Sequence, residues 1–127
     1  MIKVNSSQFN YQYGDQIHFP YSIATLVSYI KSKPELATNF SFEKSFVFRD
    51  EVERYIQECN DSDILLCSCY VWNWEITTHL AREVKKNNPK CTIIFGGPQI
   101  PNLSTDFFDK NPFVDIIVHG EGEYVFE

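Results

Sequence analysis

The segment DILLCS, residues 63–68, restricts the possible folds of this chain more than any other stretch. Its four central residues are all apolar, with Asp63 before them and Ser68 after them. A strand with one face in water alternates apolar and polar residues, whereas a strand covered on both faces is apolar throughout. The run is also far too short to cross a membrane. We therefore expect a central strand of a parallel sheet with helices against both faces.

Four other strand-like segments alternate with helix-like segments along the chain. The five expected strands are residues 2–4, 44–48, 63–68, 91–95 and 115–119. Strands that alternate with helices form parallel sheets with right-handed crossovers. The pattern predicts an α/β fold, a doubly wound, flavodoxin-like or Rossmann-like sheet of five parallel strands with helices on both faces. Among such sheets we expect the strand order 2-1-3-4-5.

The intervening helices are predicted from apolar periodicity and from end signals. Pro20 and Pro34 indicate the beginning and the end of the first helix, and Asp50 with Glu53 predicts a capping box for the second. The third and fourth helices are expected over residues 73–88 and 104–110. In the first two helices, apolar residues recur at i, i+3, i+4 and i+7, the spacing of a single buried stripe: Ile23, Leu26, Val27 and Ile30, then Val52, Tyr55, Ile56 and Cys59.

Length and composition limit the class of protein. A chain of 127 residues with 43% apolar and 16% aromatic residues is expected to form one domain with a real core. Its net charge of −6, without a basic stripe, argues against binding to nucleic acid. The N-terminus lacks the apolar core of a signal peptide. We expect a cytoplasmic protein that contacts no membrane.

The four cysteines are expected to be small buried thiols. Cys67 and Cys69 share one face of an extended segment, which makes a poor disulfide, and no CxxC motif is present. A metal or redox pair is the open alternative. Reduced thiols agree with a cytoplasmic location.

Three loops at the carboxyl ends of strands have features that a plain connector does not need. Ligands of doubly wound sheets bind at this edge, where the loops read SCYVWNW, GGPQIP and GEGE. Aromatic side chains such as Tyr70, Trp72 and Trp74 suit a flat apolar ligand, and glycines let the backbone approach a ligand closely. The structural alternatives are rings that cap the core, a tight turn and a flexible polar loop.

Common catalytic and nucleotide-binding signatures are absent from the sequence. There is no glycine-rich dinucleotide or P-loop fingerprint, and no nucleophile motif. His18, His79 and His119 lack the spacing of metal ligands. We therefore assign no catalytic residue and no metal-ligating residue to this chain.

Taken in order, DILLCSCYVWN, IIFGGPQ and DIIVHGEGE resemble the N-terminal cobalamin-binding domain of cobalamin-dependent radical S-adenosylmethionine enzymes. The segment FPYSIATLVSYI is similar to the proline-containing first helix of that family, and the resemblance covers about residues 19–123. It implies that cobalamin is held base-off, with its nucleotide tail between the loops. The residues implied to contact cobalamin are Ser68, Tyr70, Trp72 and Asn73 after the third strand, Gly96, Gly97 and Pro98 after the fourth, and Gly120, Glu121 and Gly122 after the fifth.

The chain departs from related patterns in two places. Many cobalamin domains carry D-x-H-x-x-G, whose histidine ligates cobalt, but here the first loop reads DQIHFP, with the wrong spacing. We therefore expect no histidine ligand, with His18 as the weaker alternative. The cluster motif C-x-x-x-C-x-x-C is also absent. The resemblance assigns it to a barrel domain that follows the GEGE loop and holds a 4Fe-4S cluster and S-adenosylmethionine.

These departures predict that residues 1–127 are the cobalamin domain alone, truncated at its closing helix, with the radical S-adenosylmethionine barrel outside the chain. By resemblance the parent enzyme is a methyltransferase or performs related radical chemistry. The alternative is a cofactor-free docking or regulatory domain, in which Tyr70 and Trp72 fill the cavity against Gly96 and Gly97. A flavin or receiver domain is a third option, although Ser68 stands where a receiver needs an aspartate.

Overall fold

The computed structural model describes residues 1–10, 12–13, 16–17, 21–97 and 106–118. The strands are β1 (Ile2–Ser7), β2 (Gln12–Tyr13), β3 (Gln16–Ile17), β4 (Phe40–Phe46), β5 (Ile64–Ser68), β6 (Thr92–Gly96) and β7 (Ile116–Ile117). The α-helices are α1 (Tyr21–Lys31), α2 (Pro34–Ala37), α3 (Val52–Glu58), α4 (Trp74–Asn87) and α5 (Phe107–Lys110). Short 3-10 turns lie at Arg49–Glu51, Cys59–Asp61 and Val71–Asn73.

Five strands form one parallel sheet in the order β4-β1-β5-β6-β7. The α/β class with a parallel sheet is therefore confirmed. A second, two-stranded antiparallel sheet pairs β2 with β3, in a region where we predicted no strand. Within the described residues, no helix is both long enough and apolar enough to cross a membrane.

Helices cover both faces of the large sheet, as the apolar segment at residues 63–68 predicts. On one face, Ile23 of α1 packs against Val4 and Leu66. On the other face, α3 and α4 cover Leu65 and Cys67 together with the larger part of the core. Neighbouring residues of β5 thus enter two different cores, which is why that strand is apolar at successive positions.

Aromatic packing fills much of the larger core, which lies between the sheet and helices α3, α4 and α5. Tyr55 of α3 stacks on Phe46 of β4 with ring centroids 4.2 Å apart. Trp74, at the beginning of α4, meets Phe95 of β6 edge-on at 5.8 Å. Offset stacking and edge-on contacts are the favoured geometries of aromatic pairs. These contacts attach both helices to the sheet near its carboxyl edge.

The second strand of the sheet lies several residues earlier than predicted. It spans Phe40–Phe46 instead of residues 44–48, and its register against β1 shifts between Val4 and Ser6. At that shift two residues of β4, 43 and 44, lie opposite one residue of β1. Such a bulge interrupts the alternation of faces, so Phe42 joins the smaller core and Phe46 the larger one. The broken alternation explains why the pattern misplaced the strand.

The predicted capping box is wrong, whereas the first helix ends before Pro34, as predicted. The capping box at Asp50 and Glu53 does not form, because a 3-10 turn precedes α3 and its N-cap residue, Glu51, makes no side-chain cap hydrogen bond. Pro34 lies after the end of α1 but begins the short helix α2. Proline fits the first turn of a helix because the N–H group that it lacks has no partner there.

One carboxylate ties the last strand to the sheet and to α4. Oδ2 of Asp115 accepts hydrogen bonds from the backbone N–H of Ile93 at 2.8 Å and from Nζ of Lys85 at 2.7 Å. The same ammonium group donates to the carbonyl oxygen of Cys91 at 2.7 Å. The network fixes the beginning of β7 beside β6, although β7 itself has only two residues.

All four cysteines are free and buried, which confirms the prediction of small buried thiols. Burial raises the pKa of Cys59 and of Cys67 to about 12, and that of Cys91 to about 11. Burial also raises the pKa of Cys69 well above its ordinary value. Because the thiolate is the reactive form, these thiols are inert in the folded protein.

The folded protein is expected to react slowly with a thiol reagent. At pH 8, Ellman's reagent should modify none of the four cysteines within minutes, whereas the protein unfolded in urea should release four equivalents of chromophore. Rapid modification of one thiol in the native protein would contradict the burial described here.

The raised thiol pKa values also predict a loss of stability at alkaline pH. The unfolded chain ionises its thiols near pH 9, whereas the folded chain keeps those of Cys59, Cys67 and Cys91 protonated until about pH 11–12. Their contribution to stability is therefore complete below pH 9 and is lost as the pH rises through the folded pKa values. The free energy of unfolding should fall by up to about 1.4 kcal/mol per pH unit for each thiol.

Urea denaturation between pH 8 and pH 11 measures this dependence. A Cys59→Ala variant should be less stable at every pH, but its decline above pH 9 should be shallower, because one titrating group is missing. If the free energy of unfolding falls equally steeply with pH in both proteins, Cys59 does not contribute to the alkaline loss of stability.

Candidate functional site

The described part of the carboxyl edge brings together the ends of β1, β5 and β6. The strand order reverses between β1 and β5, because β4 lies on one side of β1 and β5 on the other. The connection through α1 crosses one face of the sheet, and the connection through α3 crosses the opposite face. In doubly wound sheets a crevice opens at such a switch point and accepts the ligand.

Residues 8–10, which follow β1, are buried beside the crevice. The backbone N–H of Gln8 donates to the carbonyl oxygen of Phe46 at 3.0 Å. Its side-chain oxygen accepts a hydrogen bond from the backbone N–H of Ile23 in the first turn of α1, at 3.4 Å. Phe9 is fully buried in the larger core. Residues 8–10, which we call the first lip, are therefore attached both to β4 and to α1.

Residues 68–70, the end of β5 and the two residues after it, form what we call the second lip. They include two of the predicted site residues, Ser68 and Tyr70. Ser68 is 6% exposed, and it lies on the same side of the sheet as Leu66, facing α1, because alternate residues of a strand share a face. Cys69 donates its backbone N–H to the carbonyl oxygen of Gly96 at 2.7 Å, which extends the pairing of β5 with β6 beyond the strand. The 3-10 turn Val71–Asn73 then leads into α4.

Asn73 connects the two lips. Its side-chain nitrogen donates to the carbonyl oxygens of Phe9 and of Ser68, each at 3.1 Å. Its side-chain oxygen accepts the backbone N–H of Tyr70 at 2.8 Å. The residue is 0% exposed, and both of its donor hydrogens and its acceptor have partners.

Tyr70 and Trp72 form an aromatic pair at the surface of the edge. Their rings stack with centroids 4.5 Å apart and an interplanar angle of 13°. Trp72 is 43% exposed, Tyr70 is half-buried, and the guanidinium group of Arg49 donates a hydrogen bond to the carbonyl oxygen of Trp72. Trp74 differs from this pair, because it packs against the core. For Trp74 the structure supports the interpretation of a ring that caps the core.

The glycine pair after β6 has two different environments. Gly97 has φ of 104°, and a Cβ atom there would lie 2.5 Å from the carbonyl oxygen of Cys69. Only glycine fits, because its own chain approaches closely. At Gly96 the nearest atom to an added Cβ would be Cβ of Val118, at 3.9 Å, an ordinary contact. The structure thus explains Gly97 by packing within the chain itself.

Several predicted site residues cannot be placed at this edge. Pro98, Gly120, Glu121 and Gly122 lie outside the described residues, as does His18. For the described segments, no group of three or more His, Cys, Asp or Glu side chains is arranged to hold a metal ion.

Sequence reasoning assigned no role to Gln8 or to Phe9, although both form the first lip. A signal was available, since the polar run NSSQ directly follows the apolar start of β1. Ser6, Ser7 and Gln8 are all buried. A buried polar run after a parallel strand indicates a site edge, because buried polar groups need specific partners.

A separate groove of about 440 Å³ lies on the surface beside the C-terminal end of α3. It is polar and includes Lys3 and Asp61, which form an ion pair at 2.8 Å. The hydrogen bond from the Lys3 ammonium lowers the pKa of the Asp61 carboxyl group. Because Lys3 lies near the beginning of β1, the groove is not part of the carboxyl edge.

Comparison with known proteins identifies the family. The B12 binding domain family matches residues 37–127, which is most of the chain and includes the segments that follow β5 and β6. Over 107 residues the chain is 36% identical to 2-(S-pantetheinyl)-carbapenam-3-carboxylate methyltransferase of Streptantibioticus cattleyicolor. It is 32% identical over 107 residues to the cobalamin-dependent radical SAM methyltransferase TokK of Streptomyces tokunonensis. Each alignment covers 84% of this chain and 16% of the relative.

The relatives agree with the resemblance drawn from the three loop motifs. The chain spans about a sixth of the length of the curated relatives that it matches. The family match over residues 37–127 and the doubly wound parallel sheet lead to one conclusion: the chain belongs to the B12 binding domain family.

Proposed function

We propose that this chain binds cobalamin in the crevice between the ends of β1, β5 and β6, as the cofactor domain of a radical S-adenosylmethionine methyltransferase. The observation that carries the proposal is the family match over residues 37–127, which includes the loops after β5 and β6. Both relatives are named as methyltransferases, and one of them is named as cobalamin-dependent.

The described residues at the edge fit a large, flat ligand. The stacked rings of Tyr70 and Trp72 offer an exposed aromatic surface beside the crevice. Gly96, where an added Cβ atom would meet Cβ of Val118 in an ordinary contact at 3.9 Å, is proposed to lie against a ligand group. Ser68 would donate a hydrogen bond from the α1 side of the sheet. The predicted contacts of Gly97, Pro98, Gly120, Glu121 and Gly122 with cobalamin remain part of the proposal. The predicted contact of Asn73 does not, because that side chain is 0% exposed and its polar atoms are paired within the chain.

In the proposed enzyme, cobalamin supplies the methyl-transfer chemistry, and this chain holds and orients the corrin. The other components would come from a barrel domain outside the 127 residues, which would bind a 4Fe-4S cluster and S-adenosylmethionine. Support for that domain comes from the relatives, of which this chain covers 16%. The residues of this chain would then exclude water from one side of the corrin and leave the other side open to the barrel.

The cofactor-free alternative predicts that Tyr70 and Trp72 fill the cavity. A ring that fills a cavity is buried, whereas Trp72 is 43% exposed. Its stacking partner, Tyr70, is half-buried. This exposure supports a surface that binds a ligand. It does not fit a cavity that Tyr70 and Trp72 fill themselves.

Cobalamin is expected to bind base-off and without a histidine ligand from this chain. Hydroxocobalamin added to the purified protein should give the absorbance spectrum of the base-off form. After reduction, the electron paramagnetic resonance spectrum of cobalt(II) should show no superhyperfine splitting from a nitrogen ligand. A His18→Ala variant should give the same spectra, because His18 is proposed not to ligate cobalt.

Two results would count against this expectation. If the protein fails to shift the spectrum at high micromolar cobalamin, the binding proposal fails. If nitrogen splitting is present and disappears in His18→Ala, cobalamin binds but the histidine-free ligation is wrong.

A substitution at the exposed ring tests the aromatic contact. Trp72→Ala should weaken cobalamin binding roughly three- to tenfold, as expected for the loss of one aromatic packing contact. Phe48→Ala is the matched control, since Phe48 is 41% exposed and precedes the 3-10 turn that contains Arg49. It should change the dissociation constant less than twofold. Equal affinities of the two variants in absorbance titrations would exclude Trp72 from the site.

A further inference from the structure

Asn73 has the geometry of a clamp across the switch-point crevice. Phe9 lies beyond the end of β1, and Ser68 is the last residue of β5; these are the two strands between which the strand order reverses. The strands themselves pair as far as Ser7 and Cys67. Beyond that pair, one planar amide group donates to the carbonyl oxygens of Phe9 and Ser68 and so joins the two lips. Phe9 and Asn73 are 64 positions apart in sequence.

The orientation of the amide is determined by its third partner. The side-chain oxygen accepts the backbone N–H of Tyr70 at 2.8 Å. Rotation of the amide by 180° would place its nitrogen against that N–H and its oxygen against two carbonyl oxygens. Those contacts would oppose a donor to a donor and an acceptor to two acceptors, so only one orientation of the amide satisfies all three hydrogen bonds.

Asparagine is the side chain that this position requires. A carboxylate of the same size could accept from Tyr70 but could not donate to either carbonyl oxygen. It would also place a buried charge beside two carbonyl dipoles, which is costly. Alanine would remove the hydrogen bonds to the carbonyl oxygens of Phe9 and Ser68 and the side-chain acceptor for the backbone N–H of Tyr70.

The position of Asn73 in the chain connects the clamp to the rest of the proposed site. It ends the 3-10 turn that presents Trp72, and α4 begins at the next residue. The same side chain is therefore bonded to both lips and to Tyr70, one member of the aromatic pair. Since it is 0% exposed, it makes these hydrogen bonds from beneath the surface.

We propose that Asn73 is a positioning residue, which sets the affinity for cobalamin by holding residues 8–10, beyond the end of β1, against the end of β5. This inference rests on the proposed function, because cobalamin is the ligand for which the crevice would be held open. A protein whose lips can separate spends part of its time in a form that does not bind, and its apparent affinity falls by that fraction.

The test compares Asn73→Ala with a variant that is destabilised elsewhere. Val84→Ala is the matched control, because Val84 is fully buried in the C-terminal half of α4, far along the helix from the crevice. Both variants are first compared by urea denaturation, and hydroxocobalamin is then titrated under conditions in which each is fully folded. Asn73→Ala should bind about tenfold more weakly than the wild type, and Val84→Ala should bind within twofold of it.

Hydrogen exchange measured without cobalamin provides a second readout. In Asn73→Ala, amide exchange should accelerate at residues 8–10 and 68–70, the two lips, and Val84→Ala should leave both lips protected. If Asn73→Ala does not fold, Asn73→Ser takes its place, since its hydroxyl group keeps a donor but is too short to reach both carbonyl oxygens. It should weaken binding in the same direction.

Each outcome has a distinct meaning. Weaker binding and faster exchange confined to the Asn73 variant support the clamp. If that variant binds as tightly as Val84→Ala, or if its lips stay protected, the clamp is refuted while the proposed function stands. If the wild-type chain does not bind hydroxocobalamin, the proposed function fails and the inference fails with it, which is visible before any variant is made.

Discussion

Double-sided burial of β5 is the constraint on which the rest of this structure depends. Leu65 and Cys67 enter one core, and Leu66 enters the other. A strand of this kind is stable only when helices cover both faces, and helices reach both faces only through crossover connections. The connections through α1 and α3 then take opposite sides, so that the strand order reverses beside β5. The crevice at the carboxyl edge is therefore a geometric consequence of how the core is covered.

The crevice is formed largely by backbone held in place by buried side chains. Asn73 bridges the ends of β1 and β5, and the backbone N–H of Cys69 joins the end of β5 to β6. Gly97 permits a close approach that any Cβ atom would prevent. The side chains at the surface, Tyr70 and Trp72, rest on this framework. An edge of this kind is suited to holding a large cofactor, because its shape depends on few mobile groups.

The four buried thiols are unreactive in the folded protein. Burial raises the pKa of Cys67 to about 12, so this cysteine acts as a small apolar side chain and not as a nucleophile. The family match places the chain among B12 binding domains, and the chain covers only 16% of the relatives that it matches.

The sequence by itself determined the class of fold, the helix stripes and the buried thiols, because these follow from local periodicity and from the order of strands and helices. Tyr55, Ile56 and Cys59 are buried as their spacing predicts. Only the tertiary structure decided the position of β4, since a bulge against β1 changes which residues face each core. It also decided the environment of Asn73, which the motif placed beside a cofactor and the structure places between two strand ends. That role depends on a carbonyl group 64 positions away, and no local pattern can encode a partner at that distance.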